Sequence, residues 1–315
     1  MTATIERGAP AGPTGPPARP RARRSPLQRR EARFGLLFAL PCFLLFLAFR
    51  FGPGLAGVAL AFFHYEVGDT PRFTGLANLS RLLNDDLFWK ALRVTVVYSV
   101  IAVPLSLVCS LAMALLVRKK FRTVTFFRSV FFLPVVTSLV LAATVFTWIF
   151  SSDGPWTRIT GPVLGWLGGY DGSWLASSVW VLPAMALVSV WSRFGYGMLI
   201  ILARLQDLPA ELEEAALTDG ASSWQRFRYI VLPQLKPALF FLAVIETTGS
   251  FQVFDLVYVM TGGGPAHGSY TLVFQLVDQG FKFFDLGYAS AIGLALFVMT
   301  IVVAVIQRLT LGRES

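Results

Sequence analysis

Between Val94 and Val117 the chain runs for 24 residues without a charge, and it does so again from Ser129 to Ser152. An α-helix needs about 20 apolar residues, at roughly 1.5 Å each, to cross the hydrocarbon core of a bilayer. Backbone amides in lipid have to be satisfied within the segment, so runs of this kind fold as helices. Four further segments reach a similar length, and the expected spans lie at about 34–63, 94–117, 129–150, 178–203, 238–259 and 286–306. Pro41, Pro53, Pro104, Pro134 and Pro183 do not veto them, because neighbouring helices and water can satisfy the carbonyls that a proline frees. The fold class expected is therefore an all-α polytopic membrane protein with six transmembrane helices, its membrane domain covering 34–310.

Composition agrees with that reading. With 55% hydrophobic and 14% charged residues and a mean hydropathy of +0.63, the chain has too little polar surface to coat a soluble globule. Its net charge of +9 does not point to nucleic acid, because the basic residues sit in clusters between apolar runs. Those clusters set the topology instead. Nineteen of the 27 Lys and Arg fall in the tail, in Arg118–Arg128, in Arg204–Lys236 or at the C-terminus, so both termini are expected in the cytoplasm. Residues 1–33, rich in Pro, Ala, Gly and Arg, read as a disordered basic cytoplasmic tail. No small-residue cleavage site ends a short apolar core after it, so the first helix is expected to be retained. Cys42 and Cys109 lie inside apolar runs and read as small packing residues.

The long polar interruption at 204–236 falls between helices four and five. Asp207 or a neighbour can cap a short helix there, with Pro209 in its first turn and acidic residues near the positive end of its dipole. Ala215 and Ala216 leave one face smooth enough to seat in a groove, and Gly220 can end the helix in the left-handed conformation. Ser222 or Ser223 can cap a second short helix over Trp224–Leu232, with Gln225 completing a capping box and Pro233 breaking it.

The string Glu214-Ala215-Ala216, Gly220, Ile230, Leu232 and Pro233 fixes seven positions, a chance coincidence of roughly 10⁻⁸ per starting point at average residue usage. It resembles the ATPase-docking loop of permease subunits of binding-protein-dependent ABC importers. Phe73–Asn78, Phe127–Pro134, Leu202–Pro209, Phe254–Pro265 and Gly287–Ala291 extend the resemblance over nearly the whole chain after the tail, towards the carbohydrate branch typified by maltose and glycerol-3-phosphate permeases. Leu79 and Val277 depart from that branch, where Tyr and an aromatic are usual.

The resemblance implies an inner-membrane permease of a bacterial plasma membrane. It would import a di- or oligosaccharide, or a related polyol or glycerol phosphate, by ATP-driven alternating access. It implies as partners a second permease of similar fold, two copies of a cytoplasmic ATPase, an extracytoplasmic solute-binding protein and membrane lipid. Glu214, Ala215, Ala216, Asp219, Gly220, Ile230, Leu232 and Pro233 would make the contact with the ATPase.

The chain is not expected to be an enzyme or to carry a cofactor, ATP and magnesium belonging to the partner. None of its five lysines follows a glycine, so the Gly-Lys of a phosphate-binding loop is missing, and its two histidines form no zinc-protease motif. A permease for an amino acid or peptide is the nearest rival reading. A proton- or sodium-coupled carrier is a more distant one.

Ionisable residues within spans default to functional roles. Glu246, Arg193, Ser250, Gln252, Asp255 and Tyr258 are the candidates to line a solute path, with Trp191 offering a face to a sugar ring. The competing reading for Arg193 and Glu246 is an ion pair tying helices four and five. Asp255 and 262–265 can equally shape an outer loop that meets the binding protein.

Overall fold

The computed structural model describes residues 26–118, 122–167 and 172–311. The chain up to Gly54 forms a unit of its own. It holds α1 (Pro26–Phe46), a π turn at Leu47–Phe51 and the start of α2 (Gly52–Leu60), and the run Phe34–Leu60 is long and apolar enough to cross a membrane. Most of the expected disordered tail, residues 1–25, lies outside the described residues. Its last part, 26–33, is helical: Pro26 suits a first helical position, and Leu, Gln, Arg, Glu and Ala follow it.

From Leu55 onward the chain forms the second unit. A two-stranded hairpin, β1 (Phe63–His64) and β2 (Arg72–Phe73), pairs Phe63 with Phe73 and leads to α3 (Ala77–Leu83). The long α4 (Asp86–Leu116) starts eight residues before the expected apolar span, because Asp85 caps it by accepting from Leu87 N at 2.9 Å. Its buried stripe is Ala91, Thr95, Tyr98, Ser99, Ala102, Ser106, Ser110 and Ala114, mostly small residues at helical spacing. Such a stripe lets another helix come close, and α8 (Val181–Gln206) does: a Cβ on Gly197 would lie 2.3 Å from Ser110 Oγ.

The expected third span, 129–150, is not one straight helix. It is a pair, α5 (Val124–Val136) and α6 (Leu139–Ile149), bent by 95°. Pro134 weakens the last turn of α5, and Thr137 and Ser138 are extended, with ψ of 137° and 124°. Among the described residues five helices are long and apolar enough to span, or six if the bent pair counts as one span.

After α7 (Pro155–Leu167) and α8 come α9 (Ala210–Thr218) and α10 (Ser223–Arg226). The second short helix was expected to break at Pro233, and the structure corrects this. A π turn at Phe227–Val231 carries the chain into α11 (Leu232–Phe251), so Ser223–Phe251 is one 29-residue helical run. Proline removes a donor and crowds the turn before it. Here Leu232 N–H reaches back to Phe227 O, and this locally widened coil accommodates the ring.

The expected fifth span also ends early. The helix stops at Phe251, Gln252 is its cap, and α12 (Asp255–Met260) is a separate short helix. The chain then passes through α13 (Leu272–Val277) and a π turn at Asp278–Lys282 to α14 (Leu286–Leu311).

Several of the family-like segments meet at one end of the second unit. Asn78 donates to Ala61 O and Phe63 O at 3.1 and 2.8 Å, and a Cβ on Gly287 would sit 2.3 Å from Phe63 O. Arg81 pairs with Asp285 at 2.7 Å and lies over the Tyr288 ring, while Tyr288 Oη donates to Asp85. Next to them Tyr270 Oη donates to Asp278 Oδ2, and burial followed by that carboxylate raises its pKa above the usual phenol value. One hydrophobic cluster lies at this end, around Phe88, Tyr98, Leu256, Leu272 and Ile292. A second, around Val117, Met198, Ile201, Leu205, Val231 and Leu235, lies at the other.

Candidate functional site: the α8–α11 loop and the polar interior

Asp207 closes α8 as its C-cap, and Pro209, not Asp207, is the N-cap of α9. Glu211 and Glu213 occupy the first turn of α9, where the helix dipole favours negative charge. The helix ends in a Schellman motif: Ala221 N donates to Ala216 O at 2.9 Å and Gly220 N to Leu217 O at 3.1 Å, with Gly220 at φ +78°. Ser222 then caps α10 reciprocally with Gln225, Ser222 N donating to Gln225 Oε1 at 2.7 Å and Gln225 N to Ser222 Oγ at 3.3 Å. These local rules set the geometry of the loop.

Only Glu213 and Ala216 of α9 are half-buried, and the other residues of this helix are exposed. Ala215 and Ala216 therefore do not share one open face: Ala216 rests on the body of the protein and Ala215 points away from it. Leu212 and Leu217 are exposed as well, and so are Trp224 and Tyr229 beyond the turn. A cavity of about 330 Å³ opens between the turn after α9 and the following helical run, lined by Asp219, Gly220, Ala221, Gln225, Arg226, Tyr229 and Ile230. Of the residues expected to make the ATPase contact, Asp219, Gly220 and Ile230 share this cavity, and Glu214 and Ala215 are on the exposed side of α9. Leu232 is half-buried and Pro233 exposed, both within the continuous helix.

In the interior, Arg193 Nε donates to Glu246 Oε2 at 2.9 Å, joining α8 to α11. The ion-pair reading is thus what the structure contains. Glu246 is 6% exposed, while the Arg193 side chain keeps 38% of its surface open. The guanidinium lies against bare backbone, since a Cβ on Gly249 would come within 2.7 Å of Arg193 Nη2. Its open side lines a cavity of about 250 Å³ with Pro134, Val135, Thr137, Leu139, Ser192 and Tyr196, at the bend between α5 and α6.

The other path candidates do not join it. Ser250 is buried, with Oγ 2.8 Å from Ser99 Oγ, tying α11 to α4. It lies beside a different cavity of about 330 Å³, lined by Ser99, Val100, Pro104, Thr247, Phe251, Val303 and Gln307 among others. Trp191 packs edge-on against Phe146 at 5.2 Å, in an aromatic cluster with Phe150, Trp156 and Trp174. Gln252 is exposed at the end of α11, and Asp255 and Tyr258 share an exposed face of α12, with Tyr258 stacked on Phe254. Ser192, Tyr196 and Thr137 were missed from the sequence. The signal for two of them was present: Ser189, Ser192, Arg193 and Tyr196 form a polar stripe at helical spacing on an apolar helix. Among the described residues no group of three His, Cys, Asp or Glu could hold a metal ion.

Comparison with known proteins places this architecture. A family model described as "Binding-protein-dependent transport system inner membrane component" matches residues 106–313. The lactose transport system permease protein of Rhizobium radiobacter is 34% identical over 288 residues, covering 90% of this chain and 96% of that protein. The trehalose/maltose transport system permease protein of Thermococcus litoralis is 32% identical over 292 residues, covering 92% and 97%. The arabinooligosaccharides transport system permease protein of Halalkalibacterium halodurans is 32% identical over 271 residues, covering 85% and 84%. A chain of a bacterial alginate ABC transporter, solved in complex with an alginate pentasaccharide-bound periplasmic protein, superposes with a TM-score of 0.73. It is 22% identical, and the match covers 90% of this chain and 96% of that one, a likeness of fold. Over nearly its whole length, then, this chain belongs to the family of binding-protein-dependent transport system inner membrane components, as a multi-pass ABC transporter permease that is not itself the ATPase.

Proposed function

We propose that the chain is one of two permease subunits in an importer of di- or oligosaccharides or related glycosides, driven by two copies of a separate ATPase and supplied by an extracytoplasmic binding protein. The observation that carries this reading is the match of relatives named for lactose, trehalose/maltose and arabinooligosaccharides over at least 84% of their length and 85% of this chain's. In this reading the bent α5–α6 pair is one span, which makes six, and both termini and the α8–α11 loop face the cytoplasm. The Lys and Arg of 118–128 and 204–236 support that orientation.

The loop is the contact for the motor. The exposed side of α9 (Glu214, Ala215, Leu212, Leu217) and the cavity beside Gly220 offer a partner a short, stiffly capped helix on which to close. Asp219, Ile230, Leu232 and Pro233 complete or support that surface.

The solute passes beside Arg193. Irregular backbone within a membrane is tolerated where it lines a cavity, and the bend at Thr137–Ser138 places irregular backbone at the wall formed by Ser192, Arg193 and Tyr196. The first amides of α6 receive no side-chain cap from Ser138. They and the hydroxyls of Thr137, Ser192 and Tyr196 suit a hydroxyl-rich solute, and Glu246 holds the Arg193 head in place. Trp191, Ser250, Gln252, Asp255 and Tyr258 would act around this path, Asp255 and Tyr258 from an exposed outer surface that a binding protein can reach.

Uptake by the full complex in proteoliposomes tests the reading. A sugar delivered by the cognate binding protein is expected to enter only with ATP, and Gly220→Pro and Ala215→Trp are expected to abolish entry while the chain still inserts. Normal uptake in both variants would remove the docking assignment. A binding protein specific for an amino acid would overturn the sugar.

A further inference from the structure

Seven of the nine residues of α9 are exposed, so packing alone does little to set its angle on the protein. One of its two half-buried residues, Glu213, forms an ion pair with Arg118, 95 residues earlier in the chain. The two side chains retain only 24% and 29% of their surface, unlike the open surface pairs that contribute little. Arg118 directly follows Val117, the cap residue of α4. Val117 is itself held from the other side: its carbonyl accepts from Arg128 Nη2 of α5 at 2.9 Å. α5 in turn ends at the bend that lines the Arg193 cavity. Covalent continuity connects α9 to α8 and α11, whereas this chain of contacts connects it to α4 and α5.

We propose that Arg118 and Glu213 are a positioning pair that makes α9 move as one body with the end of α4 and, through Arg128, with α5. A displacement at the loop then reaches the bent pair at the cavity wall directly, and not only through the two helices the loop joins. The inference rests on the docking reading of the loop. In that reading Glu213 is on the inner side of α9, facing the permease, and is not a motor contact.

The experiment is the ratio of solute imported to ATP hydrolysed by the complete transporter in proteoliposomes, with co-purification of the ATPase followed in parallel. Arg118→Ala and Glu213→Ala are each expected to lower the ratio by about fivefold, the scale of a modest coupling free energy, with the ATPase still bound. The exchanged pair, Arg118→Glu with Glu213→Arg, is expected to restore it, which a role confined to folding would not produce. An unchanged ratio in the single variants, or no recovery in the exchanged pair, overturns the proposal. Loss of the ATPase from the single variants also overturns it, because Glu213 would then be holding the motor and not α4. An unaltered complex that fails to retain the ATPase through this loop overturns the docking reading, and this inference with it.

Discussion

In the loop between α8 and α11, the capping groups are satisfied by near neighbours, and Glu213, which reaches Arg118, is the long-range exception. Ser222 and Gln225 serve each other's backbone three residues apart, and the carbonyls of Ala216 and Leu217 are met by the turn around Gly220. In the interior polar groups are satisfied by groups far away in the chain. Arg193 finds Glu246 across 53 residues, and Ser250 finds Ser99 across 151. The loop is thereby a preformed module whose shape survives while its outer face stays open. The interior depends on distant partners, and most of all at Glu246, which is left buried without its cation if Arg193 is removed. A surface proposed to receive another protein suits the first arrangement, and a polar wall inside a bilayer suits the second.

The largest break in this contrast should come from the interior. Arg193→Met leaves Glu246 buried without its cation and is expected to cost about 2–4 kcal/mol, less than a fully buried pair because the Arg193 head is partly open. It would be read as loss of thermal stability in detergent. Adding Glu246→Leu should recover most of that loss, and a double variant no better than the single one would show that the pair is not coupled.

A smaller effect is expected where α5 crosses α8. The added methyl of Gly195→Ala would meet Phe131 O at 2.3 Å and force the two helices apart, at a cost of about 1–3 kcal/mol by overpacking. The Arg193 cavity should change with it, so solute affinity is the second readout. Unaltered stability and affinity would show that the bend is free to shift.

The smallest effect belongs to the loop. Ser222→Ala removes one side-chain cap and is expected to cost about 1 kcal/mol, confined to faster amide exchange over 222–226. Loss of protection deep in α11 would sharpen the comparison in the opposite sense, showing that the loop and the interior are one cooperative unit.

The same contrast explains what could be read in advance. The long apolar runs, the left-handed Gly220 and the Ser222–Gln225 box follow from rules that act within a few residues, and the sequence displays them. The bend at Thr137–Ser138 has no such signature: Pro134 permits a kink, but the 95° angle depends on what α8 presents beside it. Pro233 read as a break because local rules make proline a breaker, and the π turn at Phe227–Val231 absorbs it instead. The choice between path and ion pair for Arg193 and Glu246 was open for the same reason, since pairing is decided by helix register. Tyr196 and Ser192 went unnoticed because hydroxyl residues on an apolar helix are individually ordinary. Only their shared stripe with Arg193 distinguishes them.

The π turn has one more consequence. Because Pro233 does not interrupt the helix, the residues just after the Gly220 turn and the buried Glu246 belong to the same 29-residue rod, about 43 Å long at ~1.5 Å per residue. Such a rod pivots like an oar: a tilt of about 10° about its middle carries each end some ~4 Å in opposite directions, from the same helical rise. A push at Ser223 would arrive near Glu246 reversed in sense, the relation required of a gate that closes on one face of a membrane as it opens on the other.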